Sequence, residues 1–482
     1  MASKEGEALV ILADHFMRTG AYLQALKCHT ALCMGGKEKQ TLAKALEFSQ
    51  GTNTAADWQE KRSWELHFLC ELATCAGQLA GSQEATPQVA HLRLHFALLR
   101  TLCQLASGET GSLQQADGDT IPVIAELEAF MDDVAPDQAW SYDWLPARVV
   151  CSAACLACAC VLRPGGKLKD AMHFLERGQR LIRDELTVQR VDLKAGESSI
   201  AVAAKEDIKS LLTVHFLLGE STALTQLIQS DLTGAQKQIL QLMKLLGSFP
   251  DLLHPLVPSM HMLAGHYAHA LEHFRAAAAH FSAAASVTGR DGAGSGSGWD
   301  LAGVNQALAV LCERGPGCVA QATEILKQHA MYDSVSSALP AHDRAAGLLV
   351  SGQVLLAQGD EHNGRLRLSK ALKLAHNRLS NHSLVSQVLN SLAPAQLATS
   401  DAVGAESMLK SSFTLAKNLH DLSSQVQSLA ELHKLHVVTG APESVEDSAA
   451  YLSRKQQDLL RMQEAALASA ADHAAILCWG MA

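Results

Sequence analysis

Small and large apolar residues recur at a fixed spacing along much of the chain. In the segment 258–288, Gly265 is followed by Ala277, Phe281 and Ala284. Small residues allow two helices to approach closely where they cross, and a large residue fills the space beside the crossing. This pattern predicts two α-helices that pack against each other as a hairpin.

The same spacing occurs in several other segments. A tetratricopeptide repeat is a helical hairpin of about 34 residues, and its packing positions match these segments. The matching sets are Ala13, Gly20, Ala25, His29 and Leu32; Ala159, Gly166, Ala171, Leu175 and Gly178; Gly352, Gly359, Gly364, Leu368 and Ala371; and Ala393, Ala405, Leu409 and Ser412. Weaker copies centre on Ala223/Ala235 and Leu308/Ala320, and a last hairpin turns at Gly440–Pro442.

The second-helix positions of the later copies are regularly spaced. Ala235, Ala277, Ala320, Gly364 and Ala405 lie 41 to 44 residues apart, which is longer than the standard repeat. A single hairpin buries its apolar stripe only by stacking on its neighbours. We therefore predict an all-α fold, a tetratricopeptide-like solenoid of helical hairpins that forms a right-handed superhelix.

Breaks in the pattern predict how the chain is organised. The sequence RDGAGSGSG at 290–298 is typical of a flexible linker, since no strand precedes it and no Lys-Ser/Thr pair follows it, as a nucleotide-binding loop requires. The predicted order is a first hairpin at 1–34, a divergent helical region at 35–139, repeats at 140–289, the linker at 290–298, repeats at 299–440 and C-terminal capping helices at 441–482.

Composition and charge narrow the classes of function. The 482 residues are 48% hydrophobic but only 5% aromatic, a balance that favours helices over sheets. The net charge is −10 and we find no basic stripe, so we expect no direct contact with nucleic acid. The longest apolar run, 149–162, is shorter than the ~18–20 residues of a membrane helix. No secretory signal is recognisable at the start, and we expect no membrane partner.

The sequence contains no catalytic motif that we can recognise, and we predict a protein that is not an enzyme and binds no cofactor. Cys151, Cys155, Cys158 and Cys160 invite a metal interpretation, but they lie in an Ala-rich apolar window without histidine. A packed helix core explains them better than a metal site. His269 and His273 lie one helical turn apart but lack a third ligand. We therefore expect no metal either.

The functional surface of a helical-hairpin solenoid is the groove lined by the first helix of each hairpin. Amide and imidazole side chains in such a groove can bond an extended peptide backbone, and methionine adds adaptable apolar contact. The register predicts that the groove is lined by Ser259, Met262, His266, His269, Gln353, Gln387 and Asn390. The alternative is that these are ordinary solvated polar residues.

Several separated passages resemble one protein family. They are Trp144-Leu145-Pro146, Arg163-Pro164, the helix ending at Leu181–Leu186, Gly265–His269, and His376–Gln425, which is the strongest. In their order and spacing, the chain resembles the tetratricopeptide subunit of the cohesin-loading complex, the partner of the adherin (Nipped-B) family, in its plant form. The resemblance covers about 140–440 and the first hairpin at 6–33. It departs after Cys33, where the family has additional repeats and this chain is shorter.

The resemblance implies a non-catalytic adaptor in the nucleus. Its superhelix would wrap an extended N-terminal segment of the large adherin subunit. The pair would load cohesin onto chromatin and so support sister-chromatid cohesion and chromosome segregation during cell division. Cohesin and chromatin would then be contacted through the large subunit. The repeat alone leaves two alternatives open: a scaffold in another assembly, such as a ubiquitin ligase or a trafficking complex, and a regulatory or catalytic module with a metal at Cys151–Cys160.

Overall fold

The computed structural model describes residues 87–480 apart from 109, 116–120, 135–145, 202–203, 291–296, 333–334, 336–338, 399–400 and 441. The predicted first hairpin at 1–34 and Trp144 lie outside the described residues. Contacts divide the chain into two compact units. Unit 1 comprises 1–107 and 123–142, and unit 2 comprises 108–122 and 143–482.

All regular elements in the described part of the chain are helices. They are α1 (Pro87–Ser107), α2 (Thr110–Leu113), α3 (Pro122–Asp133), α4 (Ala147–Leu162), α5 (Leu168–Val188), α6 (Lys205–Ile228), α7 (Leu232–Ser248), α8 (Val257–Ala270), α9 (Phe274–Arg290), α10 (Ser297–Cys312), α11 (Cys318–Gln328), α12 (Ala341–Ala357), α13 (Glu361–Lys373), α14 (His382–Leu397), α15 (Ala402–Asn418), α16 (Leu422–Thr439), α17 (Pro442–Leu467) and α18 (Ala470–Leu477). A π-helical turn, Leu374–Arg378, extends α13.

In unit 1, an ion pair joins α1 to α3. Leu94 and Leu127 are fully buried, and the guanidinium group of Arg100 pairs with the carboxylate of Glu126.

In unit 2, from α4 to α17, each odd-numbered helix packs on the even-numbered helix before it. The pairs are α4/α5, α6/α7, α8/α9, α10/α11, α12/α13, α14/α15 and α16/α17. Each pair also contacts the next one along the chain. The prediction of an all-α array of tetratricopeptide-like helical hairpins is confirmed.

The small residues of the repeat lie where helices cross. A Cβ atom built on Gly265 of α8 would lie 2.6 Å from the ring of Phe281 on α9, and one built on Gly178 would lie 3.1 Å from Cβ of Cys155. One predicted anchor is wrong: Ala320 is exposed, and the buried alanine of α11 is Ala322. This copy was weak, and its register is displaced by two residues because the apolar face of α11 begins at Cys318.

Three of the second helices begin at the same capping signal. The carboxylates of Asp231, Asp360 and Asp401 accept hydrogen bonds from the backbone N–H groups three residues later, at the starts of α7, α13 and α15. These bonds satisfy amide groups that have no partner inside the helix. Local sequence therefore sets where these three hairpins turn.

Early and late repeats of unit 2 contact each other directly. The backbone N–H of His382 donates to the carbonyl oxygen of Pro164 over 2.9 Å, and the N–H of Leu422 donates to Oγ of Ser230 over 3.0 Å. The turns of α4/α5 and α6/α7 thus lie against the starts of α14 and α16.

One helix in the described part of the chain, α6, is long and apolar enough to cross a membrane. It is longer than 149–162, the longest apolar run expected from the sequence. Half of its apolar window is buried inside the protein, and core helices of folded domains pass the same test. The feature is a weak indication of a membrane span.

Candidate partner-binding face

The predicted residues of α8 lie on one side of the helix, because Ser259, Met262, His266 and His269 follow each other at intervals of three and four. This side faces the following repeat. Met262 packs against a cluster that contains Ala284 and Ala302, and all four predicted side chains are partly buried.

The two histidines of this face are neutral at physiological pH. Burial, together with the nearby imidazoles of His269 and His342, lowers the pKa of His266 to about 4. Burial also lowers the pKa of His269. Their rings meet phenylalanine edge to face, His266 on Phe281 and His269 on Phe274, with centroids 5.2 Å apart in both pairs. Neutral imidazoles offer one donor and one acceptor each.

The side chain of Gln353 lies at the seam between α12 and α14. Its Nε2 donates to Oγ of Ser391 over 2.9 Å, and this hydroxyl donates to the backbone carbonyl of Gln387, one turn earlier on α14, over 2.9 Å. Both glutamines are partly buried. Gln353 is therefore bonded across the seam to the helix that carries Gln387, through a serine that the repeat register does not predict.

Asn390 does not line an open surface. It is 2% exposed and lies at the seam between α14 and α16, where Oδ1 accepts a hydrogen bond from Oγ of Ser428 over 2.8 Å. Ser428 lies 3.0 Å from Oγ of Ser412, which is 2.8 Å from Oγ of Ser386. Asn390 therefore belongs to a buried polar network that joins three helices, and we remove it from the candidate surface. The other six residues remain predictions.

Some polar atoms of this face are buried without a partner in the structure. They include Oε1 of Gln353 and Nε2 of His269. Leaving such an atom unpaired costs roughly 1–3 kcal/mol.

A second surface, which the repeat register does not predict, is a groove of about 720 Å³ between the end of α13 and α15. Its floor contains Val385 and Leu389 of α14, and its rim contains His376, His382 and Lys410. Lys410 is already paired with Glu406 over 2.7 Å. No repeat template locates such a groove, because it depends on how outward-facing side chains of neighbouring repeats combine.

The cysteine-rich segment forms the core of α4. Cys151, Cys155 and Cys158 are buried, and burial raises the pKa of the Cys160 thiol, whereas a metal ligand must be a thiolate. Within the described residues, no group of three His, Cys, Asp or Glu side chains is arranged to hold a metal ion.

Comparison with known proteins gives one sequence relative. The chain is 26% identical to the sister chromatid cohesion protein SCC4 of Arabidopsis thaliana over 318 residues. The match covers 66% of this chain but only 43% of the relative, so it spans less than half of that protein. It confirms the resemblance inferred from the sequence passages. No family model matches the chain.

Solved helical-repeat structures are similar only loosely. A Rap protein complexed with competence and sporulation factor is 10% identical, with a TM-score of 0.48, over 84% of this chain and 99% of that one. Yeast Tom70 is 12% identical, with a TM-score of 0.32, over 95% of this chain and 97% of that one. Structural similarity at these identities and TM-scores does not support a conclusion about function.

Proposed function

We propose that the chain is a non-catalytic adaptor subunit of a cohesin loader. It binds the extended N-terminal segment of an adherin-type large subunit in the nucleus and supports cohesin loading onto chromatin and sister-chromatid cohesion. The large subunit contacts cohesin and DNA. The observation that carries this proposal is the 318-residue similarity to SCC4.

The hairpin array supports the proposal physically. Stacked hairpins present their first helices side by side, as α12 and α14 do at the Gln353–Ser391 hydrogen bond. An extended peptide that crosses this seam meets the partly buried side chains of Gln353 and Gln387. Such a segment orders when it binds, and paired backbone hydrogen bonds offset part of that entropy cost.

The negative net charge of the chain is consistent with this proposal, in which the large subunit contacts DNA. A net charge of −10 repels the phosphate backbone, whereas a basic, disordered segment of a partner is attracted. Chromatin is therefore reached through the partner. The partly buried His266 and His269, neutral at physiological pH, add hydrogen-bonding groups to α8 without adding charge.

A direct titration tests this proposal. The adherin N-terminal segment from the same organism, carrying a fluorescent label, is titrated with the full-length chain and anisotropy is measured. We expect saturable binding, and we expect the double variant Gln353→Ala/Gln387→Ala to bind about thirtyfold more weakly, since two hydrogen bonds of about 1 kcal/mol each are removed.

Gln456→Ala/Gln457→Ala is the matched control, because both glutamines lie exposed on α17. Circular dichroism melts of the variants establish that each one is folded. If the folded wild-type chain does not bind the segment at saturating concentration, the proposed function is wrong. If the control pair weakens binding as much as the seam pair, the seam does not hold the segment.

A further inference from the structure

The end of the chain returns to helices that precede it by about 200 residues. After α17, the short helix α18 packs against α7 and α8, and the residues that follow it reach His261. Ile476 is fully buried in this contact, whereas most of α18 is exposed. The contact lies within unit 2 and is independent of the stacking of neighbouring hairpins.

Hydrogen bonds fix the position of the returning segment. Nε2 of Gln236 on α7 donates to the carbonyl oxygen of Ala466 and to the hydroxyl of Tyr267, both over 3.0 Å. The same hydroxyl lies 3.4 Å from Nδ1 of His473 on α18. Nε2 of Gln463 donates to the carbonyl oxygen of Ala270 over 3.3 Å.

Imidazole rings form most of the remaining contact. The ring of Trp479 covers His261 at a centroid distance of 4.7 Å, and the backbone of Ile476 and Leu477 faces His280. The rings of His273 and His473 lie 5.0 Å apart. Both His261 and His280 are buried.

Only one proton can lie between the Nδ1 atoms of His261 and His280. Their Nδ1 atoms lie 3.1 Å apart, so one must donate an N–H and the other must accept it. If both rings are protonated, two N–H groups point at each other across this distance. Release of the covering segment lets water separate and solvate them.

The segment is held by few contacts. The helix α18 has eight residues, and isolated helices shorter than about 12–15 residues are marginal in water. Within α18, Ile476 is the buried residue. Its helical structure therefore depends on docking, and a small change in the docking surface is enough to release it.

We propose that residues 470–480 form a latch that docks on α7, α8 and α9 and is released when the histidines beneath it become protonated. The latch requires no partner, so it goes beyond the proposed function and can be tested separately.

The ionisable groups around the latch are consistent with its release at low pH. The ionisable groups that face it are His261 and Tyr267 from α8, His273 and His280 from the α9 hairpin, and His473 and Asp472 from α18 itself. Gln236 of α7 is uncharged. Among the described residues, no ion pair links these imidazoles to a carboxylate.

The directions of the pKa shifts determine whether docking of the latch weakens or strengthens as pH falls. Burial and the neighbouring His280 lower the pKa of His261 to about 4, and burial lowers the pKa of His280 and of His473. Release exposes His261 and His473 to water and moves their pKa values towards the ordinary value near 6.5, so they bind more protons than in the docked state. Release also removes the backbone hydrogen bonds of Ile476 and Leu477 that raise the pKa of His280, and this opposes the effect only in part because burial is the larger cause. Docking therefore weakens as pH falls below 6.5. At pH 6, a full return of the His261 pKa from about 4 to 6.5 lowers the docking equilibrium constant about fourfold.

Hydrogen exchange of the full-length chain, read by mass spectrometry, tests the latch. Protection of the amides of 471–480 is compared at pH 7.5 and 6.0 after correction for intrinsic exchange rates, with α14 as the internal reference. We expect protection of the latch to fall at least fourfold at pH 6.0 while α14 is unchanged. His261→Phe keeps a ring beneath Trp479 but cannot titrate, and should reduce this pH dependence.

His473→Asn, on α18 itself, is the second variant if His261→Phe does not fold. His362→Asn is the control, since this histidine is exposed on α13, and it should behave as wild type. Unchanged protection of 471–480 between the two pH values overturns the proposal. So does an equal loss of protection in α14, or a pH dependence as large in the folded histidine variants as in wild type.

Discussion

Gly265 lies at the closest helix crossing of the α8/α9 hairpin, and its replacement by alanine tests the packing register. A Cβ atom at this position would lie 2.6, 2.8 and 2.9 Å from three ring carbons of Phe281. Phe281 is 1% exposed, so its ring has no free space into which it can move. The added methyl group must displace either the ring or the helix.

Two effects of opposite sign set the magnitude. Replacing glycine by alanine inside a helix stabilises by up to about 1 kcal/mol. Overpacking a filled core costs about 1–3 kcal/mol. Because three ring atoms are closer than van der Waals contact, the packing cost dominates, and we expect Gly265→Ala to destabilise by about 1–2 kcal/mol.

Amide hydrogen exchange is the appropriate assay, since repeat arrays do not unfold as one two-state unit. Protection of α8 and α9 should fall about 5–30-fold. Gly247→Ala is the matched control, because it also lies in a helix but has no atom within 4 Å of an added Cβ. That variant should be as stable as wild type or more stable.

A double variant separates the clash from other effects. In a Phe281→Leu background, where the ring is gone, Gly265→Ala should cost clearly less than in wild type. If Gly265→Ala protects α8 and α9 as well as Gly247→Ala does, or if its cost is the same in both backgrounds, the assigned crossing is wrong.

Three further predictions concern capping, burial and the polar network. Asp231→Ala removes the cap of α7 and should lower its stability by about 1 kcal/mol, measured as loss of amide protection in α7. Asp192 is exposed and caps no helix, so Asp192→Ala should leave the amide protection of α7 unchanged. Burial raises the pKa of Glu220 to about 7, so the folded chain holds a proton that the unfolded chain releases from about pH 4.5 upwards. Stability should therefore fall as pH rises from 4.5 to 7, and denaturant titrations of Glu220→Gln should show a flatter profile. Asn390→Ala removes one acceptor of the Ser428 hydroxyl, which also donates to the backbone carbonyl of Ser424, and should lower the stability of α14–α16 by about 1 kcal/mol. A change smaller than about 0.5 kcal/mol would mean that the network is not buried as described.

The repeat register could be predicted from the sequence because helix crossings demand small residues. Gly265 and Phe281 were assigned from spacing alone, and they meet in the structure. The same logic placed Ala235, Ala277 and Ala405 at buried positions. It failed at Ala320, where two alanines two residues apart, Ala320 and Ala322, fit the loose template equally well.

The candidate surface could be predicted only in part. Register indicates which side of a helix a residue occupies, but not how completely the next repeat covers that side. Gln387 and Asn390 lie three residues apart on α14, yet Asn390 is buried under α16. The contact of the C-terminal segment was not predictable either, since Tyr267 and His473 are separated by 206 positions and no local pattern links them.

The most direct test of the central claim is affinity purification of the tagged full-length chain from nuclear extract of its source organism, read by quantitative mass spectrometry. The account predicts that a large adherin-type subunit is recovered in near-equal amount, together with cohesin subunits. It also predicts that Gln353→Ala/Gln387→Ala reduces this recovery, while Gln456→Ala/Gln457→Ala does not. Recovery of a different set of partners, with no adherin-type subunit, would contradict the account and leave the helical-repeat array as a scaffold in another assembly.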